Sequence, residues 1–207
     1  MTRLAAITIV ALIAGCASSS AQFLHPRQVE AEAYAPESLL QEKIDRLVEG
    51  FRGDVGIYVR HLSSGRSAAT NADTLFPTAS MVKVPILLKV FDLIENGELS
   101  YEQKLVYRDS LLYEGVDLLG SFKDGEEILL KKVVMLMITM SDNTASLWLQ
   151  HLAGTGTAIN EWLDDHGYSG TRVNSRTEGR REDWRRYGWG QTTPREMAEL
   201  LVMIRQG

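Results

Sequence analysis

The sequence predicts a mixed α/β fold of the α+β kind, in which a small strand-bearing part accompanies a predominantly helical one. Two patterns carry that prediction. Residues 55–61 (VGIYVRH) alternate and are β-rich, and the turn Ser63-Ser64-Gly65 leads into a second short strand near residues 66–70. From residue 80 onward apolar side chains return at helical spacing instead, over 80–95, 129–140, 141–152 and 193–204. Composition agrees: 207 residues, 44% hydrophobic and 24% charged, are enough for a real core and argue against wholesale disorder.

In chain order, residues 1–15 read as an export signal. Arg3 supplies a positive charge and residues 4–14 an apolar run of signal-peptide length, too short to span a bilayer as a helix. The run ends in Ile13-Ala14-Gly15-Cys16, which resembles the bacterial lipobox and would make Cys16, the sole cysteine, a lipid anchor to the membrane. An ordinary secretory signal with Cys16 incidental is the alternative. Alanine rather than aspartate at position 17 leans toward the periplasmic side of the outer membrane if the cell is Gram-negative. Residues 16–36 are polar and aperiodic and read as a tether.

Pro36-Glu37-Ser38 then opens a helix with Leu40, Ile44, Leu47 and Val48 on one face, closing near Gly50. The hairpin follows. Residues 80–95 are almost continuously apolar, so that helix should be buried on most sides, stopping at the C-cap pair Asn96-Gly97. Residues 98–126 read as irregular. The segments 129–140 and 141–152 read as two helices broken near Ser141 and ended by Gly154 and Gly156. Residues 167–191 hold five glycines and six arginines without helical period and read as one long loop, a feature that is usually functional inside a compact domain. Their charges read as a solvated or ion-paired face, and Trp184, Tyr187 and Trp189 as staples onto the core, with lining of the cleft as the alternative. In the last helix Thr193 is the N-cap, Pro194 stands at N1 and Glu196 completes a capping box, with Met197, Leu200, Leu201 and Ile204 as the buried stripe.

Several functions are excluded cheaply. A net charge of −5 argues against dedicated nucleic-acid binding. One cysteine rules out an internal disulfide framework and a Cys-rich zinc site, and the four histidines form no HxxxH pair, so no metal or other cofactor is expected. There is no phosphate-binding GxxxxGK[ST] and no GxSxG elbow.

What remains is nucleophilic chemistry. Ser80-Met81-Val82-Lys83 opens the buried helix, and its i, i+3 spacing puts hydroxyl and amine on one face. A desolvated lysine can act as base for an otherwise poor serine nucleophile, and a helix N-terminus offers N–H groups to a developing oxyanion. Alone the motif is weak, since a chain of this composition holds roughly 0.5 such matches by chance. A snorkelling Lys83 and a capping Ser80 explain it as well. Ser141-Asp142-Asn143 is far rarer, roughly 0.03 by chance in a chain this long. It also suits a helix start, with Ser141 as cap and Asp142 in the first turn.

With the SxxK lying 61 residues upstream, this pair resembles the penicillin-recognising serine hydrolases, class A β-lactamases in particular. The flanks Asn71-Ala72-Asp73-Thr74-Leu75-Phe76-Pro77-Thr78-Ala79 and Ile138-Thr139-Met140 support the match, which extends over about residues 54–204. The resemblance implies a β-lactamase/transpeptidase-like fold, an antiparallel sheet flanked by helices plus an all-helical domain. It divides the chain into a signal (1–15), a tether (16–36), the start of the α/β part (37–72), a helical domain (73–192) and a helix returning to the sheet (193–207).

Residue by residue, the resemblance makes Ser80 the acylated nucleophile and Lys83 its base or proton relay. Ser141 carries a proton to the leaving nitrogen, and Asn143 donates to the substrate's acylamide, with Tyr113 at the rim. The stretch Thr171-Arg172-Val173-Asn174-Ser175-Arg176-Thr177-Glu178 aligns with the family's Ω-loop and makes Glu178 the deacylation base, a carboxylate that takes a proton from attacking water. This loop departs from the family: Thr177 stands for its tryptophan, Glu182 for its asparagine, and Gln191 where an acid should pair with Arg176.

The family's K-T-G strand, with its second oxyanion donor, is absent. The expectation is therefore an incomplete reading of a longer gene, poorly folded and inactive as written. The expected activity is opening of the β-lactam amide of penicillin-type antibiotics, by an exported, lipid-anchored monomer with a small-molecule substrate. The alternatives are a DD-peptidase acting on cell-wall peptides and a non-catalytic envelope lipoprotein of the same fold.

Overall fold

Among the described residues helices supply most of the interior, and the strands come in three small antiparallel sets that tie them together. The computed structural model describes residues 38–113, 115 and 117–206; the signal, Cys16 and the tether lie outside the described residues. Helix α1 (Ser38–Val48) buries Ile44, while Leu47 is 81% exposed, off the face the periodicity assigned it. Strands β1 (Ile57–Arg60) and β2 (Ser67–Thr70) form the expected hairpin, with Tyr58 opposite Ala69. The free edge of β2 is met by a side chain. Gln41 on α1 donates to the Ala69 carbonyl at 3.0 Å and accepts from its N–H at 2.9 Å, standing in for a neighbouring strand.

The chain then runs through β3 (Phe76–Pro77) and a 3₁₀ turn (Ala79–Val82) into α2 (Lys83–Glu95). That helix ends as read, with Asn96 as C-cap and Gly97 at φ 76°. The stretch read as irregular hides β4 (Lys104–Val106), paired with β5 (Glu127–Leu129). Each strand has three residues and buries one, Leu105 and Ile128, so neither shows a period long enough to read. Helices α3 (Leu130–Thr139) and α4 (Asn143–Leu152) correspond to the two segments read around Ser141. Gly154, at φ 84°, follows the end of α4 as read, but Gly156 ends nothing: it lies in the first turn of α5 (Thr155–Asp165), a helix the sequence reading missed.

The arginine-rich stretch is not one bare loop. It holds β6 (Arg172–Val173), α6 (Arg181–Tyr187) and β7 (Gly190–Thr192), with β7 paired on one side to β6 and on the other to β3. Gly190 is required here: a Cβ would lie 2.7 Å from both the Arg172 carbonyl and Val82 Cγ2. In α7 (Pro194–Gln206) the Thr193 hydroxyl accepts from the Glu196 N–H at 3.1 Å, as a capping box requires. Its other half is diverted: Glu196 reaches the Gly170 N–H at 2.8 Å and the Thr171 hydroxyl at 2.6 Å, fastening the loop instead. Met197 and Leu200 are buried, but Leu201 and Ile204 are 52% and 44% exposed, so the apolar stripe is narrower than read. Arg195 clamps this helix with two bonds to the Asp73 carboxylate (2.7 and 3.0 Å) while lying over the Tyr58 ring.

The core gathers Val82, Ile86 and Val90 of α2 with Val133 and Met137 of α3, Trp148 and Leu149 of α4, and Ile159 and Leu163 of α5.

Candidate active site

Two short, sharp turns bring the SxxK and Ser-Asp-Asn segments together. Ala79, just before Ser80, has φ 45°, and Ser141 has φ 56°; both occupy the left-handed region that non-glycine residues avoid. Thr78 holds the first turn by donating its N–H to the Gly190 carbonyl at 3.0 Å, so β7 registers the approach to Ser80. The Ser80 N–H lies in the first turn of the 3₁₀ segment, where a helix leaves N–H groups without internal acceptors.

Lys83 is the hub. It is 4% exposed, and its ammonium nitrogen lies 3.2 Å from Ser80 Oγ, 3.0 Å from Ser141 Oγ, 2.9 Å from the Ser141 carbonyl and 2.9 Å from Asn143 Oδ1. The two hydroxyls are themselves 3.0 Å apart. Two of the four oxygens around the amine, the carbonyl and the amide oxygen, can only accept. A neutral amine has two N–H groups for those two and a lone pair left for a hydroxyl proton, which is the arrangement a base needs. Burial pushes the Lys83 amine below its ordinary value, opposed by the negative charges of Asp117 and Asp142. Because Asn143 turns its oxygen toward Lys83, its amide N–H₂ points to the other side.

Ser141 is not the helix cap that the local reading allowed. Asp142 is: its Oδ1 accepts from the Ala145 N–H at 2.7 Å and its Oδ2 from the Leu119 N–H at 3.0 Å. Asp117, which the sequence reading missed, accepts from the Asn143 and Thr144 N–H groups at 3.0 and 2.8 Å and from the Thr144 hydroxyl at 3.1 Å. No local pattern links a carboxylate to a helix start some two dozen residues ahead. The one available signal was that Asn143, at N1, has an N–H its own N-cap cannot reach.

The other two candidates, Tyr113 and Glu178, share the lining of one cavity. Tyr113 donates its N–H to Thr144 Oγ1 at 3.0 Å and meets the Trp189 ring edge-on at 5.1 Å. Together with Leu147, Trp184, Arg176 and Glu178 they line a cavity of about 580 Å³; Ser80, Lys83 and Ser141 are not in its lining. The loop is held as far as Ser175. Asn160 of α5 bonds both backbone groups of Val173 (2.8 and 3.0 Å), and Gln150 of α4 bonds the Ser175 hydroxyl and carbonyl. Beyond it Arg176 turns at φ 49°, and Glu178 is exposed. Arg180, rather than Arg176, ties the loop to Gln191 (3.1 Å) and Asn174 (2.7 Å). Among the described residues no group of three His, Cys, Asp or Glu could hold a metal ion.

Comparison with known proteins matches residues 39–207 to a model described as "Beta-lactamase enzyme family". Beta-lactamase VEB-1 of Pseudomonas aeruginosa is 24% identical over 162 residues, 77% of this chain and 54% of that protein. Beta-lactamase regulatory protein BlaB of Streptomyces cacaoi is 35% identical over 112 residues, 53% of this chain and 35% of that one. Among solved structures, PBP-A shares 30% identity with a TM-score of 0.74, over 84% of this chain and 64% of its own. A PBP-A mutant in an acyl-enzyme complex with penicillin-G gives a TM-score of 0.73. An ancestral class A beta-lactamase shares 25% identity with a TM-score of 0.65, over 78% of this chain and 61–62% of the compared ancestral chains. The chain thus spans about half the length of the VEB-1 relative and under two thirds of these structures.

Proposed function

Because the chain belongs to the beta-lactamase enzyme family, we propose that it is a serine hydrolase that opens the β-lactam amide through an acyl-enzyme on Ser80. The observation that carries this reading is the Lys83 hub, which joins nucleophile, second hydroxyl and substrate-facing amide in one hydrogen-bonded unit. Neutral Lys83 takes the Ser80 proton as Oγ bonds to the lactam carbonyl carbon. As the C–N bond breaks, Ser141 gives its proton to the departing nitrogen and is resupplied by the Lys83 ammonium. The Ser80 N–H faces the carbonyl oxygen, and Asn143 N–H₂ the substrate's acylamide. In this reading Glu178 takes a proton from the water that attacks the ester, and Cys16 anchors the exported chain to the envelope by lipid.

A second reading, a penicillin-binding peptidase that acylates and holds its ester, has one observation in its favour. Glu178 is exposed and lines a cavity that does not include the Ser80–Lys83–Ser141 cluster. Intact mass spectrometry after mixing with penicillin G separates the two. A hydrolase shows a transient adduct on Ser80 with substrate turnover, prolonged in Glu178→Gln and absent in Ser80→Ala. A persistent adduct selects the peptidase, and no adduct defeats both.

A further inference from the structure

The first turn of α4 presents three N–H groups that its own helix cannot satisfy, and two carboxylates divide them. Asp142, the N-cap, takes the third, on Ala145. Asp117 takes the first and second, on Asn143 and Thr144, through a single oxygen, and also receives the Thr144 hydroxyl. Asp142 in turn accepts the Leu119 N–H, so the chain segment carrying Asp117 is bound to α4 in both directions. The first N–H belongs to Asn143, whose side-chain oxygen is a partner of Lys83. The Thr144 hydroxyl that donates to Asp117 also accepts from the Tyr113 backbone. One carboxylate therefore lies at the crossing of three paths: to the base, to the substrate-facing amide and to the rim of the cavity.

We infer that Asp117 is a positioning residue for acyl transfer at Ser80: by holding the first two N–H groups of α4 it sets the Asn143 amide against Lys83 and ties Tyr113 to the same turn. The inference rests on the acyl-transfer reading for its kinetic consequences, not for its geometry. A carboxylate accepting three donors at a helix N-terminus gains from charge-assisted bonds and from the helix dipole together. Its charge also reaches the amine: with Asp142 it opposes the burial that depresses Lys83, and among the described residues these two are the charged groups acting on that amine. A role limited to helix capping would lower the stability of α4 while leaving the limiting rate of Ser80 acylation untouched.

The test compares Asp117→Asn and Asp117→Ala with wild type in the full chain. Acylation by penicillin G is followed against pH and split into a saturation constant and a limiting rate. Asp117→Ala should slow acylation by roughly tenfold or more, as expected when charge-assisted bonds to a positioned group are lost. Asp117→Asn keeps one acceptor oxygen and should recover much of the limiting rate. Its acid limb should move to lower pH, because Lys83 without that anion stays neutral to lower pH. An NMR titration of ¹³C-labelled lysine reads the Lys83 midpoint without any substrate and should show the same downward move.

Unchanged acylation with an unchanged Lys83 midpoint in Asp117→Asn overturns the inference. If wild type never acylates, the functional reading fails, and the lysine titration with amide exchange at Asn143 and Thr144 still decides the role of Asp117. If Asp117→Ala does not fold, Thr144→Val supplies the second arm. It removes the hydroxyl linking Asp117 to Tyr113 and should raise the saturation constant while leaving the Lys83 midpoint in place. A shifted midpoint in that variant counts against the assignment.

Discussion

At the scale of single residues the decisive group is Lys83, whose burial favours the neutral amine and is a cost to folding. Its amine is depressed in the folded chain and ordinary in the unfolded one, at 10.5. Below the depressed value both states hold the proton and the penalty is fully present. Between that value and 10.5 the unfolded state binds more protons, so the stability of the fold rises with pH through this window. Urea unfolding across that range should therefore show a steeper gain with pH in wild type than in Lys83→Met. Equal slopes would mean that the amine is not desolvated. The same displacement predicts that acylation climbs with pH to a midpoint below 10.5, and that Lys83→Arg, whose guanidinium cannot give up a proton, removes the climb. Ser80, Lys83, Ser141 and Asn143 were legible because their motifs name chemistry at fixed spacing. Asp117 was not, because its bonds join distant segments and leave no periodic trace.

At the scale of elements, what could be read were structures that advertise themselves locally. The hairpin turn, the Asn96-Gly97 stop and the Thr193–Pro194 start all appear where the sequence placed them. The misses share a cause. The β4–β5 pair has three-residue strands, and α5 begins with Thr155-Gly156-Thr157, which reads as a helix terminator. Amide side chains from helices hold the edges and loops: Gln41 on Ala69, Gln150 on Ser175 and Asn160 on Val173. Nothing in a sequence marks an amide as a surrogate strand. Gly156 turns this arrangement into a prediction. A Cβ there would displace the Thr177 hydroxyl, which donates to the Ser175 carbonyl, and lie 3.1 Å from Val173 Cγ1. Gly156→Ala should thus shift the segment that carries Glu178 while leaving the Lys83 hub in place. Deacylation should slow by about tenfold or more, since ångström-scale displacement of a catalytic group can cost up to ~10²-fold. Acylation should change little. Parallel loss of both rates in stopped-flow measurements would show that the loop and the hub move together.

At the scale of the whole molecule, the Lys83 hub and the hairpin draw on different stability. Within the described residues, every member of the core cluster comes from β4, β5, the turns beside them, α2 to α5, β6 or α7 and adjoining loops. None comes from α1, β1 or β2, whose own buried apolar groups are Ile44 and Ala68. An isolated two-stranded hairpin is marginal, and here it is held by Gln41, by the Arg195–Asp73–Tyr58 clamp and by modest burial. Regions with few buried apolar contacts open at lower free energy than the global transition. Amides of residues 57–70 should accordingly exchange well before those of 83–95 and 143–152 under native conditions, by hydrogen–deuterium exchange mass spectrometry. Simultaneous exchange of all three segments would make the hairpin part of the same cooperative unit. Ser80, Lys83, Ser141 and Asn143 all sit on the helical side of that divide. The prediction therefore extends to function: at a urea concentration that exposes 57–70 but leaves α2 and α4 protected, Ser80 should still be acylated by penicillin G. Loss of acylation in step with hairpin exchange would instead show that the hub depends on the hairpin for its geometry.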